Sequence, residues 1–163
     1  MRLMHRPPIC QALVNRYYKE VHKHLKLIDQ LKRDEGCVKN DKDMHIPYED
    51  SEGILTIGYG INLQEGLYEH EAEYLLKSRI RIAEKEIQEN FPQMVSRMTP
   101  PRYNAFLNMA FNLGLSRLMG FKKMLAALIV GDWDAASKEA LDSKWAKQVK
   151  GRADRIAEAF RNG

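Results

Sequence analysis

The chain has 163 residues, with 26 Lys and Arg against 22 Asp and Glu, a formal net charge of +4, and two cysteines. That length suits one folded unit, or two small lobes sharing a core, and allows a sizeable hydrophobic interior. No apolar run reaches the length of a membrane span or of a signal-peptide core, so neither is expected. No Gly-rich phosphate loop occurs, and the five histidines show no HExxH or related spacing, so neither a metal nor another cofactor is expected.

Charge is uneven along the chain. Residues 1–33 hold eight Lys or Arg against two acids, 34–116 hold eight against fourteen, and 117–163 hold ten against six. Basic ends would raise encounter rates with an anionic polymer, whether cell wall or nucleic acid, although a solvated face is the usual meaning of such charge.

Taken in chain order, Val14, Tyr17, Tyr18, Val21, Leu25 and Ile28 keep helical spacing after Pro7 and Pro8. This predicts a helix beginning early. His22 and His24 would lie on different faces of it. Leu25, Ile28 and Leu31 carry the helical pattern on toward Asp34, with Gly36 as the stop signal, so Glu35 marks a helix end. Cys10 and Cys37 are expected as free thiols. A disulfide between them would clamp the segment after Glu35 in an oxidising compartment.

Asp50-Ser51-Glu52-Gly53 reads as a turn, since Asp and Ser bond to nearby amides and Gly tolerates positive φ. Ile54 to Tyr59 follows as a strand rich in β-branched and aromatic residues, ending at Gly58 and Gly60. Two carboxylates, Glu35 and Asp50, and the hydroxyl of Thr56 therefore flank the only strongly strand-like segment. Glycoside hydrolysis uses one carboxyl group to protonate the leaving oxygen and a second to activate water or attack carbon. On that chemistry Glu35 is the candidate proton donor, on an element able to pack, and Asp50 the ionised partner on a polar turn. Two ordinary surface acids would produce the same spacing.

Beyond this segment the apolar positions 72, 75, 76, 80, 83 and 87 predict one long helix within 67–90. Thr99-Pro100-Pro101 is a helix start with Thr as cap, and Phe106, Met109, Ala110 and Leu113 read as core. Asn108 and Asn112, one turn apart, are candidates for facing a cleft, with capping or surface amides as the alternative. Further helices are expected at Phe121 to Val130, at Trp133 to Ser143 and from Arg152, separated by Gly131 and Gly151. Trp133 and Trp145 are read as packed rather than sugar-stacking.

The segments DEG at Asp34 and YEDSEGILTIGYG at Tyr48, followed by NMAFNLG at Asn108, GF at Gly120, GDWDAA at Gly131, SKW at Ser143 and GRADRIAEAFRNG at Gly151, form an ordered series. From about Leu27 onward the chain resembles the phage-type lysozymes of glycoside hydrolase family 24. The resemblance implies an α+β, predominantly helical, two-lobe fold, with a small β-hairpin lobe and an all-helical C-terminal lobe joined by a long helix. It divides the chain into an extension, 1–24, and a catalytic domain, 25–163, made of 25–66, the connecting helix 67–90, and 91–163.

The implied activity is cleavage of the β-1,4 bond between N-acetylmuramic acid and N-acetylglucosamine in bacterial peptidoglycan, with inversion. Glu35 aligns with the family's general acid, Asp50 with the carboxylate directing water, Thr56 with the hydroxyl holding it, and Asn108 and Asn112 with cleft positions. Arg152 aligns with a supporting arginine that approaches the catalytic glutamate. A cation there favours ionised Glu35, a tension that desolvation by substrate would relieve.

The implied enzyme is a monomer without a specific nucleic-acid partner. Made in a host cytoplasm without a signal peptide, it would reach the wall by holin-dependent export or virion delivery.

The chain departs from the family pattern in two places. Fourteen residues separate Glu35 from Asp50, more than the family usually has, which places an insertion within Val38 to Pro47. Ile61 stands where the T-even type has an ion-paired histidine. Three rival functions remain: a lytic transglycosylase relying on Glu35 alone, an inactive wall-binding or virion structural module, and a nucleic-acid binder using the basic ends.

Overall fold

The computed structural model describes residues 24–163, and these divide into two compact units between Tyr68 and Glu69. The early-helix expectation at Val14 to Val21 and the placement of Cys10 lie outside the described residues. Cys37 is exposed.

The first unit opens with α1 (Leu25–Glu35), which ends at Gly36, where φ is 64°. Its apolar positions stay half exposed, Leu31 at 44%, and none of its residues is buried. Three short strands follow: β1 (Tyr48–Glu49), β2 (Leu55–Ile57) and β3 (Ile61–Asn62), antiparallel in the order β1-β2-β3. Thr56 pairs with Tyr48 on one side and Asn62 on the other. The expected strand from Ile54 to Tyr59 is therefore shorter, because the chain reverses at Gly58 and Gly60, φ 67° and 74°. Such angles suit residues without a Cβ. The reversal creates a third strand that the alternation did not reveal.

Between α1 and β1 the segment expected to hold the insertion is ordered. Lys39 and His45 form an antiparallel bridge, and the Asn40 side chain accepts from the amides of Lys42 and Met44 at 3.0 and 3.1 Å. Asn thus organises a tight hairpin of its own.

The second unit contains α2 (Glu69–Asn90), α3 (Pro92–Val95), α4 (Pro100–Leu113), α5 (Leu115–Leu118), α6 (Lys122–Val130), α7 (Trp133–Leu141), α8 (Lys144–Val149) and α9 (Gly151–Asn162). Its core joins Ile87, Phe106, Met109, Leu118, Met124, Leu128, Trp145 and Phe160 among others. Burying a side chain of this size contributes about 1.5–3 kcal/mol. The expected core of α4 is buried at all four positions, Phe106, Met109, Ala110 and Leu113. Arg102 ties the start of α4 to the end of α9 by donating to the carbonyls of Phe160 and Arg161 at 2.8 and 3.0 Å. Its guanidinium also lies 4.4 Å from the centre of the Trp133 ring.

Four local expectations are corrected. In α2 only Ala83 and Ile87 are buried, while Ala72, Leu75 and Leu76 are exposed; Tyr103 of α4 bonds to Glu84 and Gln88 in the distal half, and Leu76 and Ile80 instead line a cavity with α4 residues. Thr99 occupies the N-cap position of α4 but its side chain makes no cap bond, and Oγ1 is buried without a partner among the described residues. Prolines at the first two helical positions have removed one of the two amides such a cap uses. The helix from Trp133 ends at Leu141, and a separate α8 begins after Ser143, whose hydroxyl accepts from the Ala146 amide at 3.0 Å. The break before α9 falls at Lys150, φ 47°, with Gly151 already helical.

Candidate active site

In the first unit the three chemistry-bearing side chains stand on three different backbone features. Glu35 is the last residue of α1 and is exposed. Its carboxylate lies against the backbone of Gly60: a Cβ at that position would stand 2.5 Å from Glu35 Oε2. Helix end and glycine turn therefore meet at the carboxylate.

Asp50 occupies the turn between β1 and β2. Its Oδ1 accepts from the amides of Glu52 and Ile54, both at 2.9 Å, while its own amide donates to the Ile54 carbonyl at 3.0 Å. Two amides on one oxygen orient the carboxylate, and charge-assisted bonds of this kind are about twice as strong as neutral ones. Oδ2 has no protein hydrogen bond among the described residues. It is thus the oxygen left for a water or a substrate.

Thr56 is 4% exposed in the central strand, and its hydroxyl donates to the same Ile54 carbonyl at 3.1 Å. With its hydrogen committed, the oxygen retains lone pairs to accept. Ile54 is the common anchor of Asp50 and Thr56, a role carried by its backbone and invisible in its side-chain type.

In the second unit Asn108 and Arg152 border one cavity of about 230 Å³, together with Asn104, Leu107 and Phe111. An adjoining cavity of about 340 Å³ is bordered by Asn104, Asn108, Arg152 and Arg155. Carboxamides and guanidiniums beside an apolar wall suit a ligand with hydroxyl, acetamido or carboxylate groups. Asn104 escaped the sequence reading although it precedes Asn108 by one helical turn, a spacing that puts both on one face.

Asn112 is placed differently. Its Oδ1 accepts from Nε1 of the buried Trp145 at 2.7 Å, and it borders neither cavity. Its amino group is the half left for another partner. Trp145 is packed as expected, edge-on to Phe121.

The sequence pattern of the family described as phage lysozyme matches residues 32–158. Probable T4-type lysozyme 1 of Dictyostelium discoideum is 26% identical over 164 aligned residues, covering 83% of this chain and 93% of that protein. Probable T4-type lysozyme 2 of the same organism is 27% identical over 166, with 84% and 94% covered. The pre-baseplate central spike protein Gp5 of Enterobacteria phage T4 is 46% identical over 55 residues, 34% of this chain, and the chain spans only 10% of its length. With a small three-stranded sheet in one unit, an all-helical second unit and a match over most of its length, the chain belongs to the phage lysozyme family and is a glycoside hydrolase of the lysozyme type.

Proposed function

We propose that this enzyme hydrolyses the β-1,4 bond between N-acetylmuramic acid and N-acetylglucosamine in peptidoglycan, inverting the configuration at the reacting carbon. The observation that carries the reading is the anchoring of Asp50 and Thr56 to one residue, Ile54, with Glu35 placed at a helix end in the same unit. Glu35 gives its proton to the glycosidic oxygen as the carbon–oxygen bond breaks. Water, oriented by Thr56 and by the free oxygen of Asp50, attacks the opposite face of the sugar and passes a proton to Asp50. The products are a reducing muramic-acid end and a free hydroxyl. Exchange with solvent restores both carboxyl groups. This chemistry needs a proton donor, a base and a water, and calls for no cofactor.

Inversion requires room for that water, so the two carboxyl groups should stand roughly 6.5–9.5 Å apart in the productive complex. Glu35 is exposed in the chain alone. The bound sugar therefore supplies the desolvation that suits a proton donor. Asn108, Asn112 and Arg152 take substrate-binding and supporting roles from the helical unit.

The test is digestion of purified peptidoglycan by the wild type, Glu35→Gln and Asp50→Asn, followed by mass spectrometry of the muropeptides. Reducing ends that disappear in both variants are expected. Anhydro ends insensitive to Asp50 would instead identify a transglycosylase. Folded protein releasing nothing would point to a wall-binding role.

A further inference from the structure

We infer that Gly60 is a positioning residue for the carboxylate of Glu35, and that the additional hairpin between α1 and β1 braces it there through His45 and Tyr59. The inference rests on the proposed role of Glu35 as proton donor, and on contacts that lie wholly within the first unit.

Two glycines of the same turn supply the argument. Gly58 and Gly60 both have positive φ, 67° and 74°, so either would be strained by a side chain. Only one of them touches the acid. A Cβ on Gly58 would meet nothing closer than Ile61 Cδ1 at 3.8 Å, an ordinary contact. A Cβ on Gly60 would stand 2.5 Å from Glu35 Oε2 and 3.0 Å from its carboxyl carbon. Backbone cannot yield as easily as the end of a flexible side chain, so a methyl group at 60 would displace the carboxyl. The absence of a side chain is what lets Glu35 occupy its position.

Tyr59, between the two glycines, is held on two sides. The His45 ring meets it edge-on, with centroids 4.9 Å apart and planes at 67°. Lys32, on α1 three residues before Glu35, places its Nζ 5.4 Å from the centre of the Tyr59 ring. His45 Nδ1 is buried without a hydrogen-bond partner among the described residues, so nothing at that nitrogen fixes the ring. Its contact with Tyr59 and the backbone bridge to Lys39 do so instead. The hairpin supporting His45 is stiffened by the Asn40 side chain and by the Lys39–Asp43 ion pair at 2.8 Å. The segment 38–47, within which the insertion is expected, thus reaches the turn that seats the acid.

The test compares Gly60→Ala with Gly58→Ala for thermal midpoint, kcat and KM on soluble peptidoglycan fragments. Both variants should lose a similar amount of thermal stability, since both strain a left-handed glycine. Only Gly60→Ala should lose kcat, by about a hundredfold if the carboxyl moves by about 1 Å, with KM little changed. His45→Ala should lower kcat less, and His45→Phe, which keeps the ring contact, should restore it. Should Gly60→Ala not fold, Gly60→Asn, which tolerates positive φ better, replaces it, and the His45 pair gives an independent reading.

Equal kcat in the Gly58 and Gly60 variants, or no rescue of His45→Ala by His45→Phe, would overturn the inference while leaving Glu35→Gln inactive. Full activity of Glu35→Gln would instead overturn the reading on which it rests.

Discussion

The two units hold their important residues by opposite means. In the helical unit Asn108 and Arg152 stand on elements with an extensive apolar core, in which Phe106, Met109, Leu118 and Phe160 are fully buried. In the strand unit Thr56 is the one buried residue among those described, and position is set by polar bonds and glycine angles: Asp50 on two amides, Thr56 on a carbonyl, Glu35 against Gly60. A packed core tolerates local polar change but not a cavity. A lattice of single bonds tolerates neither the loss of one bond nor an added methyl group at its crowded point. Chemistry and stability should therefore separate between the units under mutation.

The largest expected effect tests that separation at the acid and its partner. Glu35→Gln and Asp50→Asn should each lower kcat by roughly 10²–10⁴, the usual worth of a positioned acid or base. Because both side chains are exposed or half exposed, thermal midpoints should hardly move. A large loss of stability in either would break the comparison, by making the strand unit depend on the groups it displays. Next in size is Phe160→Ala, which empties a fully buried site and should cost about 3–5 kcal/mol in chemical denaturation. Kinetics of the remaining folded enzyme should stay close to wild type. A fall in kcat matching the loss of stability would show that the helical core sets the chemical geometry as well.

Asn108 and Asn112 sharpen the contrast within one helix. Asn112→Ala leaves the buried Trp145 indole without its acceptor, a loss of about 1–3 kcal/mol in stability. Asn108→Ala removes an exposed side chain bordering the cavities and should raise KM with little change in thermal midpoint. Interchanged results would reassign the two asparagines.

How much of this was legible in the sequence follows the same division. Local signals read well: Gly36 ends α1, Asp50 to Gly53 form the turn, and Thr99-Pro100 opens α4. They read poorly where a distant neighbour decides. Leu75 and Leu76 fit the α2 stripe, yet each is nearly half exposed, because periodicity names a face and not what covers it. Gly60 looked like a turn former, and its closeness to Glu35, twenty-five positions earlier, has no signature in either residue type. Ile54 serves through backbone groups that every residue possesses. Lys150 takes a left-handed angle beside an available glycine, a choice no propensity would predict. Ser143 before Lys144 did carry a cap signal, and its ambiguity with a helix end hid α8.

The smallest effect examines the seam between α2 and α4 in the helical unit. The Tyr103 hydroxyl donates to Glu84 Oε1 at 3.0 Å and accepts from Gln88 Nε2 at 3.2 Å, joining α4 to α2. Burial raises its pKa above the ordinary phenol value. The bond and charge of Glu84 act in the same direction, against an opposing bond from Gln88. A folded pKa above the unfolded one means that this contribution is fully present below about pH 10, where the unfolded tyrosine titrates, and is lost as pH rises through the folded value. Tyr103→Phe should remove about 1 kcal/mol near neutral pH. Urea midpoints measured from neutral to strongly alkaline pH should then converge, the wild type losing its advantage as the phenol ionises. A constant gap across that range would mean that Tyr103 stabilises the seam through its ring alone. The seam between the two helices would then be held by packing even at this polar contact.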